Sequence, residues 1–272
     1  MSLGKTDLKR TNSPLTAGRL PSAKGSPRGG GTSGIREGRK ERILAITVNQ
    51  YIKTVSPVSS AVIVQQYGID LSSATIRNVL AELEEEGYLT HPHTSAGRVP
   101  TQRGYRYYVD YLMGEIELLQ EEKTRIRAEY QKESAELDWL LEKTSRVLSQ
   151  TTHCTSLVSV DGDSRIFCKG TSFVVEYPGY QDVNKIRGIL AALDEKERLL
   201  EIINKQLEEK TAVFIGKELG CEDINTCSLV VSRYQSKHGP SGRIAVLGPT
   251  WMDYQRVVSA LDYFSGLIEE IL

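Results

Sequence analysis

Hydrophobic and polar positions change period several times along this chain, and each change marks an element. From Arg36 the apolar residues Ile43, Leu44, Ile46, Val48, Tyr51 and Ile52 recur at helical spacing, until Ser56-Pro57 interrupts them. A second short helix is predicted over residues 59–67, with Gly68 as its C-terminal cap. Ser72 or Ser73 caps a third helix; its Ile76, Val79, Leu80 and Leu83 share one face, and Gly87 ends it. A polar ribbon follows at once. Tyr88 and Leu89 read as its first strand, residues 92–98 as the tip and residues 99–101 as the return. Three closely joined helices and such a ribbon outline a winged helix-turn-helix.

Residues 102–150 are almost free of Pro and Gly. Leu112, Ile116, Leu119, Ile126, Tyr130, Leu137, Leu140 and Val147 follow a 4-3 spacing, broken by Lys123, Glu133 and Thr144. That seam suits either a coiled-coil contact between two copies or a long amphipathic helix lying on its own domain. Beyond it, strands are predicted at residues 155–160, 173–175, 211–215, 228–234 and 243–247. Helices are expected at 182–193, 195–209 and 253–272, the last with Val257, Leu261, Phe264 and Ile268 on one face. The fold class is therefore α+β, with a mostly antiparallel sheet in its second half. The expected divisions are a disordered arm over 1–35, a winged-helix domain over 36–111, a linking or dimerisation helix over 112–150, and a regulatory domain over 151–272.

Composition changes this picture in one place. With 25% charged and 39% hydrophobic residues over 272 positions, the chain is an ordinary soluble globular protein of one large or two modest domains. Its net charge of −1 suggests no polyanionic partner. The distribution does: residues 1–42 hold ten Lys/Arg against three Asp/Glu. That basic arm suits phosphate binding, or is simply a solvated tail. No apolar run approaches the ~20 residues of a membrane span, and the N-terminus lacks the apolar core of a secretory signal. Cys154, Cys168, Cys221 and Cys227 are widely spaced, which points to reduced thiols in a cytoplasmic protein; a zinc site from Cys221, Cys227 and a His fits no common ligand spacing.

The candidate chemistry lies in the third helix and the ribbon. Ser72, Ser73, Thr75, Arg77 and Asn78 crowd the first two turns of the helix, opposite its apolar face. Arg can chelate guanine and Asn adenine in the major groove, so Arg77 and Asn78 are the natural specificity residues. Ser and Thr at a helix N-terminus reach phosphates. The acidic run of Glu82, Glu84, Glu85 and Glu86 is expected to turn away from DNA. Arg98 on the wing is placed to clamp phosphate or enter the minor groove, and His91 and His93 can donate to phosphate. A metal role for this HxH pair has no third ligand nearby. Gly97 would permit a positive φ at the turn. Arg103 and Arg106 extend the basic surface, while Tyr105, Tyr107 and Tyr108 divide between core and backbone contacts. Taken alone, the third helix reads equally well as a capped helix with a solvated face.

The ribbon breaks that tie. LSSATIRNVLAELEEEGYLTHPHTSAGRVPTQRGYRYYVD (residues 71–110), and within it PHTSAGRVPT followed by GYRYYVD, resembles the DNA-binding domain of the HrcA family of bacterial heat-inducible transcription repressors. IAVLGPTWMDYQRVVSALDY (244–263) resembles that family's GPTRMDY stretch, and YPGYQDVNKIRGIL (177–190) its upstream segment. The resemblance covers residues 36–272 in two blocks. It implies an N-terminal winged helix, a GAF-like C-terminal domain, and a dimer on an inverted-repeat operator ahead of chaperone operons. It further implies that the GroE chaperonin maintains the repressing form and that heat relieves repression. Ser73, Thr75, Arg77, Asn78, His93, Thr94, Ser95 and Arg98 stand at matching positions. Two departures are visible. The stretch between Leu157 and Phe173 is too short for the family's inserted dimerisation domain, which would move dimerisation to the 112–150 helix or the C-terminal domain. Trp251 replaces an Arg.

The expected function is a sequence-specific repressor of chaperone genes that contacts double-stranded DNA through Ser72, Ser73, Thr75, Arg77, Asn78, His93, Thr94, Ser95, Arg98 and Arg103, with no cofactor and no metal. One alternative is a winged-helix regulator controlled by a small ligand in the C-terminal domain; another is an oligomeric interaction protein without DNA affinity. An enzyme is disfavoured: there is no P-loop, HExxH or Ser-His-Asp order, and Asp161-Gly162-Asp163 reads as a turn.

Overall fold

A computed structural model describes residues 32–92, 97–130, 136–177, 182–204, 209–236 and 239–272. The chain is α+β, and its first unit is the winged helix. Helix α1 (Thr32–Thr54) begins four residues before the expected start, so residues 32–35 are helical rather than part of a disordered arm. The remainder of that arm lies outside the described residues. Helix α2 (Ser60–Tyr67) is capped by the Ser59 side chain and closed by Gly68 at φ 55°, the left-handed turn glycine tolerates best. Helix α3 (Ser73–Glu85) starts at Ser72, whose hydroxyl accepts from the Thr75 N–H; Ile76, Val79, Leu80 and Leu83 are its buried face. Strands β1 (Leu89–Thr90) and β2 (Val99–Pro100) pair antiparallel as the wing.

The stretch read as one long helix is broken. Helix α4 (Gln102–Tyr107) passes into a π-helical turn at Tyr108–Leu112, and residues 113–119 are not helical. Helix α5 (Gln120–Tyr130) and helix α6 (Leu137–Thr152) follow. Burial explains the break. Folding back lets α6 lay Leu141, Val147 and Leu148 on the sheet and bury Leu140, an apolar gain that a straight, half-solvated helix forgoes. Ile126, Leu140 and Val147 of the 4-3 seam are buried within the chain, whereas Ile116 and Leu119 are exposed.

Beyond α6 runs a five-stranded, wholly antiparallel sheet of order β4-β3-β7-β6-β5, formed by β3 (Thr155–Val160), β4 (Ile166–Lys169), β5 (Thr211–Ile215), β6 (Cys227–Tyr234) and β7 (Gly242–Pro249). Strand β4 was not expected: it is a short, half-buried edge strand without clear alternation. Residues 173–175, expected as a strand, instead form the single-turn helix α7 (Phe173–Glu176). Gly170, at φ 82°, starts a turn there, and a three-residue apolar run carries too little periodicity to separate the two states. Helices α8 (Val183–Asp194) and α9 (Lys196–Ile203) follow, the latter ending before the expected limit at 209.

Side chains alternate between the two faces of the sheet. Val158, Val213, Val230, Ile244 and Val246 join α6 and α10 (Tyr254–Ile271); Leu157, Phe214, Leu229, Val231 and Leu247 join α8. Both faces are covered. The first cluster continues into the winged helix without a gap, from Phe264 and Tyr254 to Tyr105, Ile43 and Ile76. All four cysteines are free thiols, and burial pushes the Cys154 thiol up to about 12. Among the described residues, no helix is long and apolar enough to cross a membrane.

Candidate nucleic-acid interface

Helix α3 presents its first turns outward because its apolar face is committed elsewhere. Ile76 is fully buried, while its neighbours Arg77 and Asn78 are exposed. The Ser72 hydroxyl caps the helix and meets the Thr75 hydroxyl at 2.9 Å; Ser73 meets Ser60 of α2 at 2.9 Å. Thus Ser72, Thr75, Arg77 and Asn78 form one solvent-facing end, and Ser73 is partly engaged in holding α2 against α3. The helix N-terminus and an exposed guanidinium make a surface suited to anionic oxygens and base edges.

The other end of α3 is not simply turned to solvent. Lys40 of α1 pairs with Glu86 and, at 3.6 Å, with Glu82, contacts that raise its pKa, the hydrogen bond to Glu86 most of all. Glu84 binds two wing residues: its Oε2 lies 2.8 Å from Arg98 Nε, and its Oε1 meets His91 Nδ1. The Arg98 contact is one of charge and proximity, because the Nε–H is not aimed along a hydrogen bond.

The wing is anchored to the connection between α1 and α2. Arg98 and Val58, in the α1–α2 connection, exchange both backbone hydrogen bonds at 2.8 Å, adding a third short chain segment to the ribbon. Gly97 does not adopt a positive φ, as had been expected; it is glycine because a Cβ would lie 2.5 Å from the Val58 carbonyl carbon. His93, Thr94 and Ser95 lie outside the described residues.

Arg103 is exposed and stacks on the Tyr88 ring at 4.7 Å, at the foot of the wing. Arg106 does not extend the basic surface. Its Nη2 donates to the Val213 carbonyl at 2.8 Å and lies 3.2 Å from Glu218, while Nη1 donates to Asp110 at 3.0 Å. Burial raises the Asp110 pKa even against the neighbouring Arg106 charge. Gln102 works beside it, donating to the Asn225 carbonyl at 3.0 Å and accepting from the Lys217 N–H at 3.2 Å. These two residues of α4 therefore fasten the winged helix to the edge of the sheet. Nothing local in the sequence signals this role.

The three tyrosines serve the interior. Tyr105 is buried with its ring centroid 6.1 Å from that of Tyr254. Tyr107 donates to Glu41 and Tyr108 to Asn49, each at 2.8 Å, and burial pushes the Tyr108 phenol up to about 12. Gly104 permits that packing, since a Cβ would sit 2.2 Å from the Tyr88 carbonyl oxygen.

Residues 159–258 match the family described as HrcA protein C terminal domain. Heat-inducible transcription repressor HrcA of Desulforudis audaxviator is 30% identical, over 86% of this chain and 97% of that protein. The same-named protein of Carboxydothermus hydrogenoformans gives the same three figures, and that of Pelotomaculum thermopropionicum is 29% identical over 86% and 96%. The Desulforudis alignment runs over 334 positions, so about 100 of them carry no residue of this chain. A solved structure of a hypothetical protein shares the fold, with a TM-score of 0.67 at 18% identity, covering 86% of this chain and 96% of that one.

Proposed function

The chain belongs to the HrcA family of heat-inducible transcription repressors, and from that premise we propose that it represses by occupying an inverted-repeat operator as a homodimer. It is a transcription repressor and not an enzyme. Arg77 and Asn78 read base edges in the major groove, and Ser72, Ser73 and Thr75 hold phosphates at the helix N-terminus. Thr94, Ser95 and His93 of the wing tip, Arg103, and the basic arm add salt-dependent affinity. Heat inactivates the repressor, and a GroE-type chaperonin sustains its active form.

One observation carries the DNA-reading part. The exposed polar end of α3 stands on a fully buried apolar face, so Arg77 and Asn78 project from a rigid support. The chaperonin and the dimer rest on family membership. The roughly 100 unmatched alignment positions agree with loss of the inserted dimerisation domain.

The test is selection of duplexes from a random pool, followed by binding of a selected and a scrambled duplex across a salt series, with and without chaperonin. Tight binding to a selected repeat alone supports the repressor reading. Equal, steeply salt-dependent binding to both duplexes overturns it. A ligand-controlled regulator is the competing reading, whose candidate site is a half-open groove of about 690 Å³ between residues 113–118 and α10, where Met113, Leu118, Val258 and Tyr263 meet Glu115 and Asp262. Ligand-dependent release of the duplex, with no effect of chaperonin, would select it.

A further inference from the structure

We propose that Arg98 is a positioning residue rather than a DNA contact, and that Glu84 of α3 holds the wing through it. The proposal deepens the DNA-binding reading and rests on it. His91 immediately follows β1 and Arg98 immediately precedes β2, so the two residues mark the points where the wing loop leaves and rejoins the ribbon. A single carboxylate takes one from each leg: Glu84 Oε2 lies 2.8 Å from Arg98 Nε, and Oε1 meets His91 Nδ1.

Three further features fix Arg98 in this place. Its backbone is locked to Val58 by two 2.8 Å hydrogen bonds, and Gly97 packs directly on the Val58 and Pro57 backbone. The Arg98 and Glu84 side chains are 22% and 23% exposed, unlike the solvent-facing Arg77. The carboxylate also sets the local charge. A phosphate close enough to take Arg98 would meet Glu84 as well, and like charges at that range repel. Glu84 lies seven residues, about 10 Å of helix, from Arg77. The clamp therefore ties the wing to the same rigid rod that carries the base-reading end.

The two roles predict opposite signs. If Arg98 gripped phosphate, Glu84→Gln would release it and tighten binding, while Arg98→Ala would lower the salt slope by about 0.9. As a positioning pair, Glu84→Gln and Arg98→Ala each weaken binding to a selected duplex, roughly five- to fiftyfold. The double variant is no weaker than Glu84→Gln alone, the salt slope stays unchanged, and the charge swap Glu84→Arg with Arg98→Glu recovers part of the affinity. Hydrogen exchange on the free, full-length protein supplies a readout that needs no DNA. Exchange at Thr90, Val99 and Thr101 should quicken in each single variant, quicken no further in the double than in Glu84→Gln alone, and slow again in the swap. Unchanged exchange in both single variants would overturn the clamp, as would tighter binding by Glu84→Gln. Should the wild-type chain bind no selected duplex, the DNA-binding reading fails, while exchange still decides whether Glu84 holds the wing.

Discussion

At the N-terminal end of α3, Arg77 and Asn78 face solvent; at its C-terminal end, Glu82, Glu84 and Glu86 are bound to Lys40, His91 and Arg98. The helix is amphipathic along its whole length, so the two ends do not differ in pattern. They differ in what folds against them. The last turns meet α1 and the wing, which bring cations, whereas the first turn meets the polar Ser60 of α2 and leaves Arg77 and Asn78 exposed. The exposed Arg77 and Asn78 at one end are available to a partner, and the engaged groups at the other give that end its fixed position. Residue type alone does not separate the roles: Arg77 and Arg106 are both helical arginines, yet one is exposed and the other ties two units together.

This contrast can be broken from its inner face first. Ile76→Ala should cost about 2–5 kcal/mol of stability, because the residue is fully buried in the shared core. Thermal unfolding measures it, and an unchanged Tm would mean that α3 is not supported as described. Gly104→Ala should destabilise by about 1–3 kcal/mol, although the same change in an unobstructed helix gains about 1 kcal/mol. The sign of the Tm shift decides whether the close approach to Tyr88 is real.

Arg77→Ala probes the exposed end of α3. It should lose about 1–3 kcal/mol of affinity for a selected duplex, relax its specificity, and leave stability within about 0.5 kcal/mol. Lys53→Ala, also exposed, should lose a smaller amount equally on selected and scrambled duplexes. Equal losses for both variants on both duplexes would remove Arg77 from the reading end.

The smallest effect lies far from the interface, where Arg256 holds the Glu122 carboxyl below its usual range, helped by the Leu119 N–H. A depressed carboxyl contributes stability above its unfolded pKa and loses it as pH falls through the folded value. Glu122→Gln should therefore cost at most about 1 kcal/mol at neutral pH. The difference from wild type should fade as the pH drops below 4.5. A difference that grew on acidification would refute the ion pair.

Features set within one helical turn or one strand period are legible in the chain's local pattern. Ser59, Ser72 and Gly68 cap as their types require, Ile76, Val79, Leu80 and Leu83 are buried together, and Val257, Leu261, Phe264 and Ile268 line α10. Strand Thr211–Ile215 stands where its apolar run placed it. These features rest on neighbours a few residues apart, so their physics is already present in the local pattern. The remaining features depend on residues far apart along the chain. The 4-3 seam is interrupted because α6 buries more by folding onto the sheet. Gly97 and Gly104 are glycines because other backbones approach them. Arg106 reaches a carbonyl 107 residues away, and Glu84 meets Arg98 across a loop. An arginine has the same chemistry wherever it stands, and only the fold brings the carboxylate, carbonyl or open solvent that assigns its role.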